Sequence, residues 1–109
     1  MKTYEVISKL READKKAKLE FVVGSRVYTK FIVGTNKCVD IFVYQESAKS
    51  VTSKYVGELY DRLNLMSDHL NANIYLREQS KDSNKLEPKL VIKSVSIQPR
   101  KVIINASIK

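Results

Sequence analysis

Residues 19–44 read LEFVVGSRVYTKFIVGTNKCVDIFVY, and the fold turns on this stretch. Its apolar residues do not recur at the three-to-four spacing of a helix. They crowd into runs of Val, Ile, Phe and Tyr, the side chains that suit a pleated surface. Gly24-Ser25-Arg26 separates residues 19–23 from 27–33 as a tight hairpin, and Gly34-Thr35-Asn36-Lys37 separates 27–33 from 39–44. Three consecutive strands are expected. The second and third are apolar on both faces: Val27, Phe31 and Val33 oppose Tyr28 and Ile32, while Val39, Ile41 and Val43 oppose Phe42 and Tyr44. A sheet with one solvated face alternates cleanly. The far face of residues 27–44 is therefore expected to be covered, by the rest of the chain, by a second copy in a homodimer, or by a target.

Upstream, Val6, Ile7, Leu10 and Ala13 form one apolar stripe, with Thr3 as the expected N-cap and Asp14-Lys15-Lys16 as the stop. Downstream, a second helix is expected from Thr52 or Ser53, carried by Val56, Leu59, Tyr60 and Leu63. Gly57 inside it costs about 1 kcal/mol relative to Ala. Residues 72–76 read as a strand with Ala72, Ile74 and Leu76 on one side, and residues 78–88, EQSKDSNKLEP, as an exposed mobile loop. Two strands follow, 89–97 and 102–108, joined by a turn at Gln98-Pro99-Arg100. In the last, Val102, Ile104, Ala106 and Ile108 should face the core, and Lys101, Asn105, Ser107 and Lys109 should face water.

The order α-β-β-β-α-β-β-β predicts one α+β domain over residues 1–109, an antiparallel sheet with two packing helices. It also suggests an internal duplication, residues 3–44 against 53–108. A shift of 53 residues places Val6 on Leu59, Leu10 on Leu63 and Phe21 on Ile74.

Chemistry is sparse. With one Cys and one His, the chain lacks a disulfide framework, and a metal site would need mostly carboxylates. Cys38 reads as a small hydrophobe at a strand start, and His69 as a cation at a helix end. Glu58 and Asp61 share a helix face with Lys54 and Arg62, the pattern of a solvated, salt-bridged surface. There is no phosphate-binding glycine loop and no dinucleotide fingerprint. The expectation is a protein that is not an enzyme and takes no cofactor or metal. No apolar run has the length of a signal peptide core or a membrane span, so the expected setting is cytoplasmic, with no membrane partner.

Charge is the positive signal. The chain carries 20 Lys and Arg against 12 Asp and Glu, a net +8. Residues 1–18 hold +3 of this and residues 88–109 hold +5, so the excess sits at the two ends. Such an excess suits nucleic acid or an acidic protein surface. The candidate phosphate-binding residues are Lys15, Lys16, Lys18, Lys30, Lys89, Lys93, Arg100, Lys101 and Lys109, with Tyr28 as a candidate stacking ring on an outward face beside Lys30.

Two resemblances bear on function. The α-β-β-β-α order of residues 3–68 resembles a double-stranded-RNA-binding domain, a family that holds phosphates with a Lys-Lys-x-Ala-Lys cluster at its last helix. The matching stretch here, residues 47–54, has only Lys49 and Lys54, and the family's Gly-Pro hairpin is missing. In size, Lys/Ile/Asn-rich composition and opening helix-turn-strand, the chain also resembles small proteins of bacteriophages and other mobile elements. That likeness implies an inhibitor or adaptor that binds and blocks a host enzyme or a defence complex such as a CRISPR effector.

Overall fold

A computed structural model describes residues 1–35, 37–79 and 88–108. Among them are two α-helices and seven strands: α1 (Thr3–Leu10), β1 (Lys18–Val23), β2 (Arg26–Tyr28), β3 (Lys30–Thr35), β4 (Val39–Tyr44), α2 (Val56–Asn64), β5 (Ile74–Glu78), β6 (Leu90–Ile97) and β7 (Lys101–Ser107). All seven strands form one mixed sheet in the order β2-β1-β7-β6-β5-β4-β3. The class is α+β. The expected antiparallel sheet is corrected in two places: β1 runs parallel to β7, and β4 runs parallel to β5 with α2 in the crossover between them. Parallel neighbours require such a crossover, and the α2 segment supplies its length.

The stretch that carries most of the strand signal also holds the largest departure from expectation. Residues 27–33 are not one strand. The chain breaks at Thr29, and the two pieces sit at opposite ends of the hydrogen-bonded order, β2 on one edge and β3 on the other. One residue cannot span a flat seven-stranded sheet. The sheet therefore curls until its edges meet at Thr29, and the result is nearly a barrel. This topology also corrects the likeness to a double-stranded-RNA-binding domain, whose three consecutive strands are neighbours. The strands of residues 3–44 are shared between the two edges.

The seam is closed by residues 53–57. The Leu19 amide donates to the Lys54 carbonyl at 3.0 Å, and the Phe31 amide donates to the Ser53 carbonyl at 3.1 Å. The Val56 and Gly57 amides donate to Ala17 and Lys15 carbonyls at 2.9 Å. This explains why α2 starts at Val56 and not at Thr52 or Ser53: the residues before it are extended and serve as edge partners. Glu58, expected on a salt-bridged surface, is a cap whose Oε1 accepts from the Lys54 and Tyr55 amides at 3.1 Å. In α1, Glu5 does the same for the Lys2 amide, and Thr3 lies inside the helix with its hydroxyl donating to the Ala72 carbonyl.

One hydrophobic cluster fills the concave side. Leu19, Phe21 and Val23 of β1, Phe31 and Val33 of β3, Val39, Ile41 and Val43 of β4, Ile74 and Leu76 of β5, and Val102, Ile104 and Ala106 of β7 all point into it. Val6, Ile7 and Leu10 of α1 and Val56, Leu59 and Leu63 of α2 close it. Phe21 and Phe31 meet edge to face across the seam, with centroids 5.6 Å apart. Ala72 precedes β5 and caps α1, and Ile108 follows β7 and is 66% exposed, so neither takes the inward strand position expected of it. Lys93 is an extra residue in β6, where the register with β7 jumps between Ile92 and Ser94. It switches the inward set from Leu90 and Ile92 to Val95 and Ile97. Of the loop expected at 78–88, residues 80–87 lie outside the described residues, as does Lys109.

Candidate functional site

The parallel pairing of β1 with β7 brings residues from the two ends of the chain together. Lys18 lies directly opposite Lys101, and its amide donates to the Arg100 carbonyl at 3.3 Å. The seam adds Lys54, whose carbonyl is held by Leu19, and the break at Thr29 adds Lys30. Lys18, Leu19, Glu20, Thr29, Glu46, Lys54, Arg100 and Lys101 line a cleft of about 320 Å³. Two carboxylates sit among these cations. Lys101 Nζ is 3.5 Å from Glu20 Oε2. The Thr29 hydroxyl donates to the Glu46 carboxylate, and together with the fields of Lys30, Lys54 and Lys18 it holds the Glu46 carboxyl below its ordinary value of 4.5. The cleft region thus gathers five cations against two anions, most of them placed by backbone pairings and Glu46 by the Thr29 hydroxyl.

The remaining expected residues are dispersed. Lys15 is spent on structure: its ammonium donates to the carbonyls of Leu10, Arg11 and Ala13 at 3.0, 3.1 and 3.0 Å and lies 4.4 Å from the Tyr60 ring centre. It caps α1 and anchors that end to α2. Lys16 is exposed beside it, on a shallow groove with Tyr55, Glu58 and Asp61. Lys93 is exposed at the β6 bulge. Lys89 flanks the first residue of β6, whereas Arg100 and Lys101 follow its last, so Lys89 lies at the far end from the cleft. There its ammonium donates to Cys38 Sγ at 2.8 Å and lies 5.3 Å from the Tyr75 ring centre. The Cys38 contact, and behind it the Asp40 charge, raise its pKa above the ordinary lysine value. Lys30, by contrast, stays at the edge of the cleft: it is half-buried, acts on Glu46 and donates to the Ala48 carbonyl at 2.8 Å. His69 ends a single 3-10 turn, Ser67–His69, after α2.

Tyr28 is not on an outward face. It is 6% exposed, points into the core from β2, and its hydroxyl donates to the Glu78 carboxylate. Arg26, two residues before it on the same face of β2 but with an exposed side chain, donates to the same carboxylate from Nε at 2.5 Å and Nη2 at 2.8 Å. The Arg26 contact comes first, and with Tyr28 it holds the Glu78 carboxyl below its ordinary value. Burial and the Glu78 contact raise the Tyr28 phenol. This latch ties β2 to β5, two strands that are not neighbours in the sheet. Nothing in the local sequence marks Glu78 as their partner.

The outward aromatic side chains are others. Phe42 and Tyr44 project from the outer face of β4 and Tyr75 from that of β5, all half-buried, with Ile32 of β3 beside Phe42 and 46% exposed. Gly34 leaves room for the Phe42 ring: a Cβ there would lie 3.0 Å from Phe42 Cε2. The doubly apolar pattern of residues 27–44 was the available signal for this face. Both helices pack on the other side of the sheet.

Among the described residues, no group of three or more His, Cys, Asp or Glu side chains is placed to hold a metal ion, and no helix is long and apolar enough to cross a membrane. Compared with known proteins, the chain matches no family model, no curated protein and no solved structure.

Proposed function

We propose that the chain is a small non-catalytic protein that binds nucleic acid through the cleft at the start of β1 and β7. The observation that carries this reading is the convergence of Lys18, Lys30, Lys54, Arg100 and Lys101 from four separate parts of the sequence. Lysines that serve only solubility have no reason to converge. Convergence around Glu46 and Glu20 leaves an open, net positive groove at which phosphate oxygens can replace the carboxylates. Lys16 and Lys93 extend the field, while Lys15 and Lys89 are committed to local contacts.

The test is the salt dependence of binding. If about three phosphates are neutralised, affinity falls roughly 40-fold between 50 and 200 mM salt for a duplex, at a slope near −0.9 per phosphate, and roughly 20-fold for a single strand, at about −0.7. Binding that is flat across this range, or absent at the lower salt, removes the reading.

A second reading has its own observation. β2 and β3 are the two edges of the sheet, and Val27 and Ile32 on them are 54% and 46% exposed. Exposed apolar side chains on the two edge strands offer a protein partner surface to bury. This is the geometry an inhibitor or adaptor of mobile-element origin would use. It predicts an association that survives nuclease and high salt and is lost in Ile32→Lys.

A further inference from the structure

We infer that the outward face of β3, β4 and β5 is a stacking platform for unpaired bases, so that the nucleic acid taken by the basic cleft is single-stranded. The inference rests on the cleft being a phosphate site and deepens that reading.

Strand register carries it. Lys30, beside the cleft, lies directly opposite Tyr44; two residues along, Ile32 lies opposite Phe42, and Phe42 lies opposite Arg77 of β5. One further step along the same face, Asp40 lies opposite Tyr75, over which the Lys89 ammonium is placed at 5.3 Å. Residues two apart on one strand face are separated by about 7 Å, which leaves room for one planar base at each aromatic position. A line therefore runs from the cations of the cleft through Lys30 to Tyr44 and Phe42, with Arg77 opposite Phe42, and ends at Tyr75, whose ring the Lys89 ammonium already covers. Alternating cations and rings match the two chemical parts of a single strand, a charged backbone and exposed π-faces.

A duplex offers the same phosphates but hides its base faces within its own stack. A target of phosphates alone would leave the solvent-facing part of the Tyr44 and Phe42 rings unused. Gly34 supports the assignment, because the absence of a side chain there lets the Phe42 ring lie over the β3 backbone. Asp40 does not oppose an anion: it is 6% exposed and lies 3.9 Å from the Arg77 guanidinium.

The experiment titrates the full chain with a short oligothymidylate and with a duplex of equal length, at low and at physiological salt, following tyrosine fluorescence and anisotropy. The single strand should bind at least about tenfold tighter than the duplex. Tyr44→Ala should weaken single-strand binding by roughly tenfold and leave duplex binding unchanged at a temperature where the variant is fully folded, while Tyr44→Phe keeps the ring and the affinity. Equal or tighter duplex binding that is still lost in Lys101→Glu overturns the platform and leaves the cleft reading standing. Failure of both ligands at low salt removes the cleft reading and the platform with it. A monomer–dimer equilibrium by sedimentation that Tyr44→Ala abolishes assigns the face to a second copy and also overturns the inference.

Discussion

Outward from β6 and β7 point Ser94, Ser96, Asn105 and Ser107, with the Asn105 amide donating to Ser94 Oγ at 3.0 Å. Outward from β3, β4 and β5 point Ile32, Phe42, Tyr44 and Tyr75. Both faces belong to one sheet and both lie opposite the same core. In the first region the outward side chains are mostly polar, Ile103 and Val91 excepted, and the inward ones apolar, so the pattern orients most of each strand. In the second, large apolar and aromatic side chains stand on both faces, with Lys30, Asp40 and Arg77 among the outward ones, and the pattern identifies a strand without orienting it. The difference separates two kinds of information in a strand: alternation encodes burial, and its absence marks a surface under another demand.

The sharpest way to break this comparison is to place a charge on each side of β7. Ile104 is fully buried, so Ile104→Asp should cost more than about 4 kcal/mol and unfold the chain, whereas Asn105→Asp next to it should stay within about 0.5 kcal/mol. Denaturant midpoints decide it, and a tolerated Ile104→Asp would mean the strand register is reversed.

Next in size is the latch that ties β2 to β5 of the second region. Glu78→Ala leaves the buried Tyr28 hydroxyl without its acceptor, a loss of about 1–3 kcal/mol. The same carboxylate gives the stability curve a sign. Its folded pKa is lowered, first by the Arg26 contact, so its contribution is complete above the ordinary value of 4.5 and is lost as the pH falls below that toward the folded value. Acid melts of the parent and Glu78→Ala should converge at low pH and separate above about pH 5.

A smaller effect tests the second region directly. Phe42→Ala removes a half-buried ring from above Gly34 and should cost about 1–2 kcal/mol, more than truncating an outward serine of β6. Equal costs would dissolve the contrast between the two faces. Least of all should be the stability change in the double variant Lys93→Glu with Lys101→Glu, within about 0.5 kcal/mol at each site, since Lys93 is exposed and Lys101 has only the 3.5 Å contact with Glu20. Binding to any polyanion should nonetheless fall sharply, which a salt titration of both proteins measures.

The features legible from residue order alone are local. The stripes Val6, Ile7, Leu10 and Val56, Leu59, Leu63, the Gly24 hairpin with its φ of +60°, and the inward set of β7 were all readable, because each depends on neighbours within a few residues. Only the tertiary structure decided the rest. Thr29 looks like the middle of a strand, yet the chain there passes from one sheet edge to the other, because curling the sheet lets both pieces pair and pack. Gly57 reads as a weak point in a helix, but a Cβ there would lie 3.0 Å from the Lys15 carbonyl oxygen, so the close approach of two backbones sets that residue. Lys15 and Lys18, three residues apart and alike in sequence, part company for the same reason: one is drawn onto the carbonyls that end α1, the other is set opposite Lys101. Pairing between β1 and β7 joins residues more than eighty apart, and no local propensity encodes such a contact. It forms because burying both strands in one curved sheet removes the most apolar surface from water.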